Sequence, residues 1–256
     1  MLGDRSPGFV LAQAMEPDNY RALWRMPRTV RRPVDFAGRY FLGRGEYPSR
    51  CEVNTPAGVI APTLYSHHDV FTVNEIFCRL DYRLRAGART VVDVGSNIGI
   101  SALYFLTRSP DVRCHLFEPD PRNVERLRAN LEGYRERYVL TEAAVSDRAG
   151  RVSFGLDPTG RYGGVGLRHA QEIEVDCLSI NDVLRTVIEL DGRVDMLKLD
   201  TEGLENRTVQ AIEPDLLERI AVICFETTKP INPDPRRFEL RYATDTARLI
   251  NREPAL

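Results

Sequence analysis

Residues 90–131 read TVVDVGSNIGISALYFLTRSPDVRCHLFEPDPRNVERLRANL. The order is strand, glycine turn, helix, strand, acidic tip, helix. Val91, Val92 and Val94 form a β-branched run that stops at Gly95, as a buried parallel strand does. Gly95 and Gly99 bracket a tight turn where backbone can approach a ligand closely. The helix begins at this turn, so its free N–H groups are expected to point there. The next strand, Val112 to Phe117, ends at Glu118, which lies ~20 residues past the turn, the separation of an acid that holds ribose hydroxyls. Pro119, Asp120 and Pro121 then restart a helix, with Asp120 as N-cap. The stretch reads as half of a nucleoside-binding α/β sheet. Its glycine spacing is G-x-x-x-G, and the dinucleotide fingerprint G-x-G-x-x-G is absent.

Toward the C-terminus, Tyr138 to Val145 is the third strand. Segments 151–157 and 171–177 look like two further strands, paired with each other. The glycine-rich loop between them carries Arg161 and Tyr162 and reads either as a flexible hairpin loop or as a substrate lid. Leu178 to Leu190 is a helix capped by Ser179. Val194 to Leu199 is the fourth core strand and runs into Asp200-Thr201-Glu202-Gly203-Leu204-Glu205. Ligands bind at the carboxyl ends of parallel strands, which places Lys198, Asp200 and Glu202 at the cleft of Gly95 and Glu118. Ile220 to Phe225 is the fifth strand, ending in Glu226, and Arg236 to Asn251 is expected to be a last helix.

Toward the N-terminus, residues 66–84 keep a helical period through Val70, Val73, Ile76, Phe77, Leu80 and Leu84. His67 and His68 precede this helix, Asp69 is a natural N-cap, and Thr72 with Glu75 matches a capping box. Cys51 to Tyr65 reads as a small hairpin turning at 56–58. Residues 1–50 are arginine-rich and poor in pattern. They read as a solvated arm, or as a flap or homodimer arm anchored by Trp24 and the Tyr40–Phe41 pair. The expected division is an arm over 1–50 and one domain over 51–256.

The 256 residues and a formal net charge of −2 give no electrostatic case for nucleic acid as the partner. No apolar run approaches the ~20 residues that span a bilayer. No signal peptide is read, and the five scattered cysteines lack C-x-x-C spacing, so the expectation is a cytoplasmic protein with reduced thiols and no structural zinc. Lys198 and Lys229 are the only lysines in an otherwise arginine-based chain, which makes a lysine inside a core strand notable.

With D-x-G-x-N-x-G at 93–99, E-P at 118–119 and L-K-L-D-T-E-G-L-E at 197–205, the chain resembles FkbM-type methyltransferases over about residues 51–226. The resemblance implies a class I methyltransferase fold: a Rossmann-like, mostly parallel α/β sheet with helices on both faces, here with an N-terminal hairpin and arm and an extra strand pair. After Glu226 too few strand-like residues are read for the terminal antiparallel pair of a full class I sheet, and the pair at 151–157 and 171–177 is read as widening the opposite edge. It implies S-adenosylmethionine (SAM) as cofactor and a small-molecule acceptor, a sugar or secondary metabolite, methylated on a hydroxyl. By position, Asp93, Gly95, Ser96, Asn97, Gly99, Ser101, Glu118 and Pro119 would bind the cofactor. Glu142, Ala143 and Ala144 would flank the adenine, Asp200 would face the methionine end, and Glu75 would be a further contact. Arg161, Tyr162, His67 and Lys198 would meet the acceptor.

A hydroxyl must lose its proton when it is methylated, and the candidate bases are Glu202, His68 and Asp200. Asp200, Glu202 and Glu226 also offer oxygen ligands for magnesium or calcium, although no divalent metal is expected. The competing readings are an amine acceptor, an NAD-linked oxidoreductase on a similar sheet, and a nucleotide-binding module without catalysis.

Overall fold

The computed structural model describes residues 17–157, 163–167 and 170–254. The chain divides into two compact units, Met1–Arg83 and Leu84–Leu256. Among the described residues no helix is long and apolar enough to cross a membrane.

In the first unit two helices, α1 (Pro17–Thr29) and α2 (Pro33–Leu42), occupy part of the arginine-rich segment in which no pattern was read. Ala22, Met26 and Val30 recur every four residues and are buried, so α1 and its exit have an apolar face despite the arginines between them. Then come β1 (Ser49–Arg50), β2 (Val53–Thr55), β3 (Gly58–Ile60) and β4 (Thr63–Leu64). β2 and β3 are the expected hairpin, and β1 pairs antiparallel with β4. The helix read over 66–84 is shorter: α3 (His67–Val73) widens into a π-helical stretch, Asn74–Arg79, and stops where Leu80 turns left-handed at φ 67°. Its N-cap is Ser66. Asp69 sits three residues later, accepting the N–H groups of Tyr65 (2.6 Å) and Ser66 (2.8 Å). Thr72 lies inside α3, so the box read from Thr72 and Glu75 does not form at a helix start.

The second unit is built on β5 (Thr90–Val94), α4 (Ile100–Leu106), β6 (Arg113–Phe117), α5 (Pro121–Asn130), β7 (Tyr138–Thr141), β8 (Ala144–Ser146), β9 (Gly150–Leu156), β10 (Gly164–Val165), β11 (Gln171–Ser179), α6 (Ile180–Asp191), β12 (Met196–Leu199), α7 (Glu205–Gln210), α8 (Pro214–Glu218), β13 (Val222–Glu226), β14 (Phe238–Ala243) and β15 (Thr246–Asn251). The main sheet has the order β14-β15-β13-β12-β5-β6-β7. From β13 to β7 every neighbour is parallel, whereas β15 is antiparallel to both β13 and β14. The expected last helix is therefore a hairpin, and the terminal pair of a class I sheet is present after all.

Register explains the core. Leu197 and Leu199 on β12 stand beside Val92 and Val94 on one side and Ile223 and Phe225 on the other. With Ala247 and Leu249 they form one apolar face, covered by Ile180, Val183, Leu184 and Val187 of α6. The alternate positions Asp93 and Lys198 fall on the opposite face, where Ser101 of α4 reaches Asp93. Helices thus lie against both faces.

The segment read as a third strand is two strands in two sheets. β7 closes the main sheet beside β6, while β8 pairs parallel with β11 in a second sheet of order β10-β9-β11-β8. β9 and β11 do pair antiparallel, but they belong to this second sheet and do not widen the first.

Candidate active site

The site grows from the carboxyl ends of β5, β6 and β12. β5 ends at Val94, and Gly95 follows with φ 74°. A Cβ placed on Gly95 would lie 1.9 Å from the Asp200 carbonyl oxygen, so only glycine lets the two strand tips come this close. The Asp200 N–H donates to the Val94 carbonyl at 3.1 Å and fastens them.

The turn differs from expectation in one respect that bears on its chemistry. Its N–H groups do not point into the cleft. Gly95 and Ser96 both donate to the Phe117 carbonyl (3.0 and 3.1 Å), Asn97 donates to Glu118 Oε2 (2.8 Å), Ile98 to Asn97 Oδ1 (2.7 Å), and Gly99 to the Ser96 carbonyl (2.9 Å). These donors hold the turn onto β6 and onto itself. An anion cradle needs open N–H groups, and residues 95–99 do not supply them.

Glu118 is 4% exposed, and its carboxylate accepts the N–H groups of Asn97 and Asp120, the latter at 2.9 Å. Burial pushes its pKa up to about 7, with the two backbone donors opposing that rise only in part. Asp120 caps α5 as expected, accepting the Arg122 N–H at 2.9 Å, and its second oxygen pairs with the Arg122 guanidinium at 2.6 Å.

On β12, Asp200 opens a loop that includes Thr201, Glu202 and Gly203. The buried Glu205 carboxylate ties this loop, accepting from the Thr201 N–H (2.7 Å) and the Gly203 N–H (2.9 Å). Within it Glu202 is held at φ 56°, a left-handed conformation uncommon for a side-chain-bearing residue.

These elements enclose a cleft of about 570 Å³, open mouth included. Val94, Gly95 and Phe117 line it, as do Ala143, Ala144 and Val145. Glu118, Asp120, Asp200 and Glu202 all line it, and among the described lining residues there is no lysine, arginine or histidine. The second sheet completes the wall with Phe154, Gly163 and Val165. A Cβ on Gly163 would come within 2.8 Å of the Phe154 ring, so this wall is closely packed. Phe154 and Val165 were not singled out from the sequence, because nothing in a strand's alternation says which sheet it will face, and neither were Asn123 on α5 and Thr201 in the loop after β12.

The remaining candidates separate clearly. Gly95, Asn97, Glu118, Pro119, Ala143, Ala144, Asp200 and Glu202 line the cleft. Asp93, Ser96 and Ser101 lie beneath it as framework: Ser96 Oγ donates to the Asp93 carbonyl (2.7 Å) and Ser101 Oγ to Asp93 Oδ2 (2.5 Å). Gly99, at φ 86°, is the N-cap of α4. Lys198 does not line the cleft. It is 2% exposed, with Nζ 2.9 Å from Asp93 Oδ1 and 3.5 Å from Asp200 Oδ2. Burial alone would lower its pKa, but attraction to Asp93 and Asp200 outweighs burial and holds it above the usual lysine value. Glu142 is exposed and pairs with Arg128 at 2.6 Å, outside the cleft lining.

Arg161 and Tyr162 lie outside the described residues. His67, His68 and Glu75 belong to the first unit. There His67 Nε2 sits 2.7 Å from the Arg39 carbonyl, and its ring packs edge-on against Phe71. Among the described residues no group of three or more histidine, cysteine, aspartate or glutamate side chains is arranged to hold a metal ion.

The model of the "Methyltransferase FkbM domain" matches residues 93–246, from the buried Asp93 to the last strand. The 31-O-demethyl-FK506 methyltransferase FkbM of Streptomyces tacrolimicus is 30% identical over 196 residues, covering 63% of this chain and 73% of that protein. The 2-O-methyltransferase NoeI of Sinorhizobium fredii is 44% identical over 64 residues, about a quarter of each chain (25% and 26%). A methyltransferase crystal structure from Geobacter sulfurreducens aligns with a TM-score of 0.40 at 15% identity, covering 71% of this chain and 78% of that one. The family match takes in the glycine turn, the Glu118 tip and the loop after β12 together, and on that ground the chain belongs to the FkbM methyltransferase family.

Proposed function

We propose that the protein transfers the methyl group of SAM to a hydroxyl of a small molecule. The observation that carries this reading is the charge of the cleft: four carboxylates and no cationic side chain among its described lining, above a turn whose amides are engaged. Such a cleft suits a cationic ligand. It is unsuited to a pyrophosphate, which disfavours the NAD-linked alternative.

The residues fit the donor part by part. Glu118 keeps lone pairs beyond its two backbone bonds and accepts from the ribose hydroxyls. Ala143 and Ala144 leave room for a flat ring, with Phe154 and Val165 closing over it. Asp200, 31% exposed and lining the cleft, faces the amino-acid end. When bound, the donor supplies a methyl group already activated on a sulfonium. The protein's part is then mainly to align donor and acceptor and to exclude water. Glu202 is the proposed base, held at the cleft by a strained backbone and a loop that Glu205 fixes. A carboxylate is a weak base toward an alcohol, so proton loss to Glu202 accompanies or follows methyl transfer rather than preceding it. The FkbM and NoeI relatives are both named for methylation at an oxygen, which supports a hydroxyl over an amine.

Calorimetry with S-adenosylhomocysteine (SAH) and with NAD tests the donor. Binding of SAH and not NAD is expected, and the reverse sinks the proposal. Native extract incubated with methyl-labelled SAM should yield a labelled small molecule that releases its label as methyl iodide on mild ether cleavage with hydriodic acid, as an O-methyl group does and an N-methyl group does not. Donor binding with no labelled product from any extract would favour a non-catalytic module.

A further inference from the structure

We propose that Lys198 is a positioning residue that ties the glycine turn to the loop after β12, so that one buried ammonium sets both the donor-binding turn and Asp200. This rests on the methyl-donor reading above.

Lys198 faces the side of the sheet away from the α6 core, opposite Asp93 in the register of β12 and β5. Its Nζ lies 2.9 Å from the Gly95 carbonyl, 3.4 Å from the Val94 carbonyl, 2.9 Å from Asp93 Oδ1 and 3.5 Å from Asp200 Oδ2. An ammonium has three N–H donors and no preferred plane, so it can gather oxygens arriving from several directions. The planar fork of an arginine could not, and this chain uses arginine at nearly every other basic position. Lys198 does not itself reach the cleft, whereas Gly95 and Asp200 both line it.

Neutralising Asp93 is not a sufficient account of the residue. A buried ion pair seldom stabilises a fold more than a well-packed neutral pair does, and a lysine serving Asp93 alone would have no need to meet Gly95 and Asp200. These contacts coincide with the two other links between the strand tips: the Asp200 N–H on the Val94 carbonyl, and the absence of room for any Cβ at Gly95. The two tips therefore move together. The orientation of the Asp200 carboxylate follows from that of the Gly95 peptide, and occupation of the donor site is felt at the loop bearing Glu202.

The test compares wild type, Lys198→Met, and Asp93→Asn/Lys198→Met. The double variant removes both charges and keeps an acceptor for Ser101. Thermal unfolding and SAH calorimetry are the readouts. The double variant is expected to regain most of the stability that Lys198→Met loses, yet to bind SAH about tenfold or more weakly, the loss of one charge-assisted hydrogen bond or more. Wild-type affinity in a folded double variant overturns the coupling alone. Failure of the wild type to bind SAH overturns the donor reading and this proposal with it. If the double variant does not fold, hydrogen exchange on the wild type decides. SAH should slow exchange at 95–99 and at 201–203 together, and protection confined to 95–99 overturns the proposal.

Discussion

The tips of β6 and β12 line the same cleft and both present a carboxylate, but they hold it in opposite ways. Glu118 is buried and kept by two backbone N–H groups and the Asn123 side chain without a cation beside it, and burial raises its pKa to about 7. Asp200 is partly open to solvent and has the Lys198 ammonium behind it. Neutral dipoles satisfy a carboxylate's geometry without cancelling its charge, so Glu118 waits for further donors. Asp200 has a cation near it, 3.5 Å away and shared with Asp93. On the donor reading, the first is the pH-sensitive half of the site and the second the rigid half.

The strongest way to break this contrast is to separate the tips. Gly95→Ala adds a left-handed alanine, costing roughly 1–2 kcal/mol, to an overpacking cost of roughly 1–3 kcal/mol. Denaturant unfolding should show a loss of about 2–5 kcal/mol by these two terms together. An unchanged midpoint would mean that the tips can part freely. Glu202→Gln should lower turnover about 100-fold, within the range of a general base, while SAH affinity stays within about twofold of wild type. An equal fall in both would move Glu202 into donor binding.

The pH dependence sharpens the Glu118 side. Its folded pKa of about 7 stands above the ordinary 4.5, so between those values the folded chain holds a proton that the unfolded chain releases. Unliganded stability should therefore fall as pH rises through that window and level off above about 7, by roughly 3 kcal/mol in all at about 1.4 kcal/mol per unit. Ribose hydroxyls donate to the ionised form. SAH affinity should accordingly rise with pH, by up to about tenfold per unit below 7, and then flatten. Glu118→Gln should bind more weakly and show no such slope. A wild-type profile flat from pH 5 to about 8 would place the ribose elsewhere. The smallest effect belongs to Glu142→Gln. It loses only an exposed pair with Arg128, so less than about 0.5 kcal/mol of stability and no SAH affinity should go with it.

Much of this was legible because it rests on local chemistry. Val91–Val94 must be strand, Gly95 must be glycine, and the Asp120–Pro121 step must start a helix. What was not legible depends on partners. YVLTEAAVS at 138–146 is one apolar run, and nothing in it says that its halves pair with different neighbours. The terminal hairpin hid for a different reason. Its two-residue turn is Thr244–Asp245, with Thr244 left-handed at φ 57° and none of the glycine or asparagine that marks such turns. β14 is an edge strand exposed from Glu239 to Ala243, so no alternation betrays it. In α1 the buried Ala22 and Met26 are embedded among Arg21, Arg25 and Arg28, and charge obscured the period. The engaged amides of 95–99 were invisible because sequence gives the location of a turn and not the aim of its donors.

That last feature bears on how the site behaves between turnovers. A pocket lined with open amides must find water or an ion for them whenever it empties, and it loosens until it does. Here the donors of the bend are taken up within the chain, by Phe117, Glu118 and the bend itself. On the donor reading, an emptied site then leaves no orphaned peptide group at the bend.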